Sequence, residues 1–282
     1  MIDYASLMAL ERKDERFGYG DRETMLYALS IGMGHDPLDA NELPFTYEKD
    51  LKAVPSLATV LTRIPLLKAS GIDYAKVVHG EQRLALHRPL PPQGELVADA
   101  RVVGAYDKGP GKGAIILTET AVRLASDGLP LYTLLSTTFA RGEGGFGGPS
   151  GPAPAPHPTP ARPPDLCASF ETRRDQALLY RLNGDRNPLH SDPEFARRAG
   201  FPAPILHGLC TYGIACRAVL QCVARYDPAR IGAFDVRFSA PVYPGDTIAT
   251  ELWMDGATVS FRCRVPGRGD AVVITNGRCA LL

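Results

Sequence analysis

The sequence has no surplus charge of either sign: Lys+Arg and Asp+Glu are both 31 in its 282 residues. A protein built to hold nucleic acid needs a basic surplus to neutralise phosphates, so the balance argues against that class. No apolar run approaches the roughly 18 residues that a membrane span requires. The 6 cysteines are Cys167, Cys210, Cys216, Cys222, Cys263 and Cys279. They form no C-x-x-C pair, and no histidine stands at zinc-ligand spacing from them. A charged-then-apolar leader is also missing, because Met1-Ile2-Asp3-Tyr4 soon gives way to the charged run Glu11 to Arg16. These absences predict reduced thiols, a cytoplasmic location, no metal, no nucleic acid and no membrane. Lysine stops at Lys112 and cysteine starts at Cys167, so the two halves differ in composition.

What is present is a soluble composition, 45% apolar and 22% charged, with enough chain for one large domain or two small ones. The clearest boundary runs from Gly142 to Pro164. Glycines give it a flexible start and prolines a stiff, extended end, and neither supports a helix or a central strand. It predicts a first unit over 1–141, a linker over 142–164 and a second unit over 165–282.

The units look like copies. Tyr27, in Leu26-Tyr27-Ala28-Leu29, falls in register with Tyr180 in Leu179-Tyr180-Arg181-Leu182. Pro89 to Leu96 resembles Pro241 to Thr247 at almost the same offset. Two matches in register point to a duplication. Each copy reads as a short helix (about 22–31 and about 173–182) followed by a β-meander. Segments 81–87, 95–106, 113–126 and 131–140 form the first meander. Segments 234–238, 247–254, 258–265 and 271–282 form the second, broken by Pro-Gly and Asp-Gly turns. Only the second copy keeps a long helix, about 208–225, with an apolar stripe of Leu209, Tyr212, Cys216, Val219, Leu220 and Val223. Its counterpart, 54–69, carries Pro55 and Pro65, which break or kink a helix.

Chemistry concentrates in Gly184-Asp185-Arg186-Asn187-Pro188-Leu189-His190-Ser191-Asp192. Gly184 and Pro188 place it on a turn. A turn can aim Asp185 and His190 into one pocket, and a carboxylate with an imidazole is a usual couple for proton transfer near neutral pH. The same residues also suit a plain surface turn. Ser191 or Asp192 caps the next helix before Pro193 on either reading. Downstream, Pro204-Ile205-Leu206-His207-Gly208 leads into the long helix. The unpaired amides at that helix start carry positive partial charge. Gly208 has no side chain to block a ligand oxygen from its N–H. His207 reads as structural.

This segment resembles the R-specific 2-enoyl-CoA hydratases, the hydratase 2 branch of the MaoC-like proteins, whose motif Gly-Asp-x-Asn-Pro-(Leu/Ile)-His-x-Asp matches Gly184 to Asp192. Tyr180-Arg181-Leu182, Ala199-Gly200-Phe201, Pro204 to Cys210 and Phe238 to Gly245 fit as well. Val78 to Gln82, Asp107-Lys108-Gly109, Gly144 to Gly148 and Arg162 to Asp165 look, closer still, like the two-repeat hydratase domains of the peroxisomal multifunctional enzymes of type 2. The main departure is the Ala-Pro tract around Gly151 to Pro160.

The resemblance implies an α+β double hot-dog fold, two antiparallel sheets each wrapped around a helix, with the N-terminal helix incomplete to make room for bulky acyl chains. It implies an enoyl-CoA hydratase of fatty acid metabolism that converts trans-2-enoyl-CoA to (3R)-3-hydroxyacyl-CoA. Asp185 and His190 would be the acid/base pair, Asn187 would orient water, and the Gly208 N–H would face the thioester oxygen. His79, Gly80, Lys108 and Phe238 would line the acyl-CoA site. Acyl-CoA is then the partner, no cofactor beyond the substrate's coenzyme A is called for, and a homodimer is compatible. The register sets Gly32 opposite Asp185 and Pro37 opposite His190, so one site per chain is expected. The rival functions are an acyl-CoA thioesterase and a non-catalytic acyl-CoA-binding subunit.

Overall fold

The computed structural model describes residues 2–73, 76–151 and 154–282. Its strands are β1 (Glu11–Tyr19), β2 (Val77–Leu86), β3 (Gly94–Asp107), β4 (Ala114–Leu124), β5 (Pro130–Ala140), β6 (Leu166–Glu171), β7 (Ile231–Phe238), β8 (Thr247–Asp255), β9 (Thr258–Val265) and β10 (Ala271–Leu281). All pair antiparallel in one 10-stranded sheet of order β1-β3-β4-β5-β2-β7-β10-β9-β8-β6. Read inward from either edge, the order is the same in each half. The halves meet where β2 pairs β7, with Arg83 opposite Asp235 and Leu84 opposite Phe234.

The helices are α1 (Tyr4–Met8), α2 (Asp21–Ser30), α3 (Leu43–Thr46), α4 (Ala58–Leu61), α5 (Gln176–Tyr180), α6 (Pro193–Arg198) and α7 (Gly208–Cys222). The sequence leads one to expect an amphipathic α7 with a single apolar stripe. Instead every residue from Cys210 to Leu220 is buried, which is how a helix behaves when it is wrapped on all sides. The sheet covers one side, with Tyr212 packed edge-on to Phe234 at 5.0 Å between ring centres. On another side α2 crosses at Gly213, where an added Cβ would lie 2.5 Å from Ile31 Cγ2 and 2.8 Å from Tyr27 Oη. Arg217 is tolerated there because Glu42 receives it at 2.5 and 2.9 Å and Phe170 lies 4.0 Å beneath its guanidinium.

Among its described residues the N-terminal half has no such helix. Its counterpart segment is a 3-10 turn at Pro55–Leu57, the short α4 and a second 3-10 turn at Leu66–Ser70, as the prolines predict. The space left under the sheet includes a cavity of about 180 Å³ lined by Ile64, Leu66, Leu67, Ile72, Thr118, Thr120 and Thr138, among others.

The Gly/Pro tract expected as a linker is hydrogen-bonded to both halves where it is described. Asp107 accepts the N–H groups of Gly109, Gly145 and Gly147, each at 2.8 Å. His157 lies 2.8 Å from Ser260 Oγ, and its carbonyl accepts from Asn276 at 2.7 Å. Hydrogen bonds of this kind order a chain that has no secondary structure of its own. Residues 152 and 153 of the Ala-Pro departure lie outside the described residues. No helix among the described residues is long and apolar enough to cross a membrane.

Candidate active site

The Gly184 to Asp192 segment is held from both ends. A 3-10 turn, Arg181–Asn183, follows α5 and stops at Gly184, whose φ of 107° suits glycine alone. Asn183 donates to Ser30 Oγ at 2.8 Å and Gln176 to the Ser30 carbonyl at 2.5 Å. The segment is thereby pinned to α2 of the other half. Asn187 Oδ1 accepts the Leu189 N–H at 3.0 Å and caps the next 3-10 turn, Pro188–His190. Asp192, not Ser191, caps α6.

This scaffold brings Asp185, His190 and His207 together, with one polar atom of each within 4.8 Å of the others. His190 and His207 are buried, and their rings stack at 3.8 Å and 27°. His190 Nδ1 lies 2.8 Å from the Ile205 carbonyl, and His207 Nε2 lies 3.0 Å from the Asp185 carbonyl. A carbonyl oxygen only accepts, so both nitrogens carry the proton. That leaves His190 Nε2 and His207 Nδ1 as lone pairs. The latter is buried with no partner among the described residues.

Burial holds both imidazoles neutral. It lowers His190 below the usual 6.5, against the Ile205 hydrogen bond and the Asp185 charge. It lowers His207 to about 4, with His190 adding to the shift. For Asp185, burial works upward. It is outweighed, first by the Arg63 guanidinium and then by the Asn187 N–H, so the carboxyl stays below its usual 3.8. A carboxylate beside a neutral imidazole with a free lone pair is equipped to accept a proton from water. Ligand atoms of the three lie close enough to reach a common ion, but the Arg63 guanidinium already lies against the carboxylate and the two rings stack.

The expected lining residues divide. Gly208 opens α7, and its N–H donates no hydrogen bond among the described residues. Phe238 covers it, 3.3 Å from where a Cβ would stand, and packs on His79 at 5.0 Å between ring centres. His79 sits on β2, contacts the Glu81 carbonyl at 3.1 Å and feels the Asp185 charge, while burial lowers its pKa to about 4. Gly80 explains that placement. The pairing of β2 with β5 shifts register between His79 and Glu81, and a Cβ on Gly80 would meet the Thr137 carbonyl at 3.3 Å. Lys108 stands apart: its Nζ donates to the Ser150 carbonyl at 3.0 Å within the glycine-loop knot, and no described contact joins it to Asp185.

Two close neighbours escaped the sequence reading. His207 is part of the cluster rather than a bystander at the helix start. Arg63, from the broken helix of the other half, contacts Asp185 Oδ1 at 3.1 Å. Its one sequence signal is a lone cation amid the apolar stretch Val54 to Leu67.

A family model described as MaoC like domain matches residues 156–275, and one described as MFE-2 hydratase 2 N-terminal domain matches residues 17–142. The enoyl-CoA hydratase ChsH3 of Mycobacterium tuberculosis is 40% identical, covering 97% of each chain. The chain belongs to the MaoC-like hydratase 2 family. Another member, the peroxisomal enoyl-CoA hydratase 2 of Arabidopsis thaliana, is 38% identical over 95% of this chain and 92% of its own. Among solved structures, a MaoC-like dehydratase from Phytophthora capsici superposes with a TM-score of 0.87 at 33% identity, covering 100% of this chain and 98% of that one. The paired sheet of this family member is a double hot-dog, as its sequence implies.

Proposed function

We propose that the protein is a hydro-lyase acting on acyl-CoA: it adds water to trans-2-enoyl-CoA to give (3R)-3-hydroxyacyl-CoA, and runs in reverse as a dehydratase. The observation that carries this reading is the cluster of Asp185, His190 and His207, with ligand atoms within 4.8 Å of one another. In it His190 Nδ1 is committed to the Ile205 carbonyl and Nε2 has no partner among the described residues. His207 leads directly into the Gly208 N–H that opens α7. The names of the relatives support the same chemistry.

The reaction needs a polarised thioester carbonyl and a water that loses a proton as it attacks C3. The Gly208 N–H, reinforced by the α7 dipole, faces the thioester oxygen and stabilises the enolate. Asp185 and His190 hold the water between them and take its proton, and the pair then returns a proton to C2 on the same face. Asn187 supports this by fixing the turn that aims His190, since its Oδ1 is committed to the Leu189 N–H. The proton belongs to the coupled pair rather than to one residue.

The C-terminal unit, 165–282, carries this chemistry. The N-terminal unit, 1–141, receives the acyl chain in the space its broken helix leaves, lined by Ile64, Leu66, Leu67 and Ile72. A panel of trans-2-enoyl-CoA thioesters of graded length tests the reading. Loss of enoyl absorbance without release of free thiol, and an R product, is the expected result. Thiol release would make the protein a thioesterase, and binding without turnover would make it a carrier.

A further inference from the structure

Arg63 reaches the site by a built route. Pro65 prevents α4 from continuing, so the chain leaves the helix at Thr62, with φ −122° and ψ 77°. Thr62 is buried and its Oγ1 lies 3.3 Å from Tyr132 Oη of β5, which anchors the backbone just before Arg63. The repeat offset of 153 residues, the spacing of the Ser30–Asn183 contact, sets Arg63 opposite Cys216. That residue is fully buried in the intact α7. An arginine at that point of a complete helix would sit in the core. The broken helix releases it toward the other half instead.

We propose that Arg63 is a positioning residue of the N-terminal unit: its guanidinium clamps the Asp185 carboxylate in the orientation that addresses water, so the site is a composite of both units. This rests on the reading of Asp185 and His190 as the acid/base pair. Asp185 is faced by Arg63 from the turn after α4, His79 from β2, Tyr180 from α5, and His190 and His207 from its own half, while Arg181 acts on His190. Among the described residues Arg63 is the one guanidinium in ion-pair contact with Asp185. Arg181 is turned to the Arg186 carbonyl at 3.2 Å. With its side chain 56% exposed, Arg63 contributes little to stability, which makes it a clean target.

The sign follows from charge. A guanidinium favours ionised Asp185 and disfavours protonated His190, and it lowers both. Hydration needs Asp185 ionised and His190 neutral, so activity is lost as pH falls through those values. Removing Arg63 moves that loss to higher pH.

The experiment is kcat/KM for enoyl-CoA hydration against pH in the full-length protein, its Arg63→Ala and Arg63→Lys variants, and Asp185→Asn. The thermal midpoint of each confirms that it is folded. Arg63→Ala is expected to raise the acid limb by about 1 pH unit, a roughly 10-fold loss at fixed pH on that limb, the low end for a charge at contact. Arg63→Lys restores the limb, and kcat only in part, because an ammonium lacks the planar fork. An unmoved limb in Arg63→Ala, with or without a pH-independent change in KM, overturns the proposal and leaves the acid/base reading standing. Normal turnover in Asp185→Asn overturns the acid/base reading itself.

Discussion

Substituting alanine for Gly208 separates catalysis from stability. Gly208 has an ordinary backbone, not the positive φ that would demand glycine. An added Cβ would stand 3.3 Å from Phe238 Cε1, 3.4 Å from Cδ1 and 3.6 Å from Cζ. The ring has to yield by a few tenths of an ångström, a small overpacking at the low end of the usual range, about 1 kcal/mol. Against this, replacing glycine in a helix regains about 0.5–1 kcal/mol of backbone entropy. The thermal midpoint should therefore barely change. Catalysis should fall, because the methyl group crowds the approach of an oxygen to the N–H that opens α7. One oxyanion donor is worth about 10²–10³ in rate. Partial obstruction should cost about 10–100-fold in kcat, or roughly 1.4–2.7 kcal/mol of barrier. Following the decay of enoyl absorbance at saturating substrate, beside a thermal melt of the same sample, reads both quantities. A kcat within about threefold of the parent would refute the placement of the thioester oxygen against Gly208.

Gly213→Ala should do the opposite, lowering stability by about 1–3 kcal/mol because its Cβ would meet Ile31 and Tyr27 at 2.5 and 2.8 Å; an unchanged melting curve would rule out this close crossing of α2 and α7. Acid should weaken the fold before it strips carboxylates. His79 and His207 are held neutral down to about 4 by burial but titrate near 6.5 when unfolded. The unfolded chain therefore binds more protons between those values. Stability should be full above about pH 6.5 and decline as pH falls toward 4; melts that coincide across that window would contradict it. Thr120→Phe should fill the cavity of about 180 Å³ and lower kcat/KM for long acyl chains while sparing short ones. Equal losses at every chain length would place the acyl group elsewhere.

Much of this architecture is legible in the sequence, and the exceptions share a cause. The meander strands show because each alternates or runs apolar between Pro-Gly and Asp-Gly turns. The strands that do not show, β1 and β6, are the two edges of the sheet. An edge strand pairs on one side and often carries charge, which conceals its pattern. In β1 that charge is satisfied laterally, with Asp14 bound to Arg123 of β4 and Asp14 N–H donating to Asp99 of β3. The full burial of α7 was hidden because Ala, Gly, Thr and Cys between the larger residues carry little periodic signal, although they fill the far side of the helix. Asp185 and His190 are visible because they are five residues apart on one turn. Arg63 is not, because its partner lies 122 residues away and only the tertiary fold brings them together.

The seam between β2 and β7 has a consequence for how such a molecule can change. In a symmetric dimer an interface is the same patch used twice, and any substitution is imposed on both sides. A seam inside one polypeptide lifts that constraint. The helix could be shattered on one side while Cys216 stayed packed on the other. The fragments could then take up work that no intact helix could do, opening a cavity and sending a cation to the neighbouring half. The two-repeat fold thus behaves as a pair of independently editable parts, one keeping its central helix whole and the other free to break it.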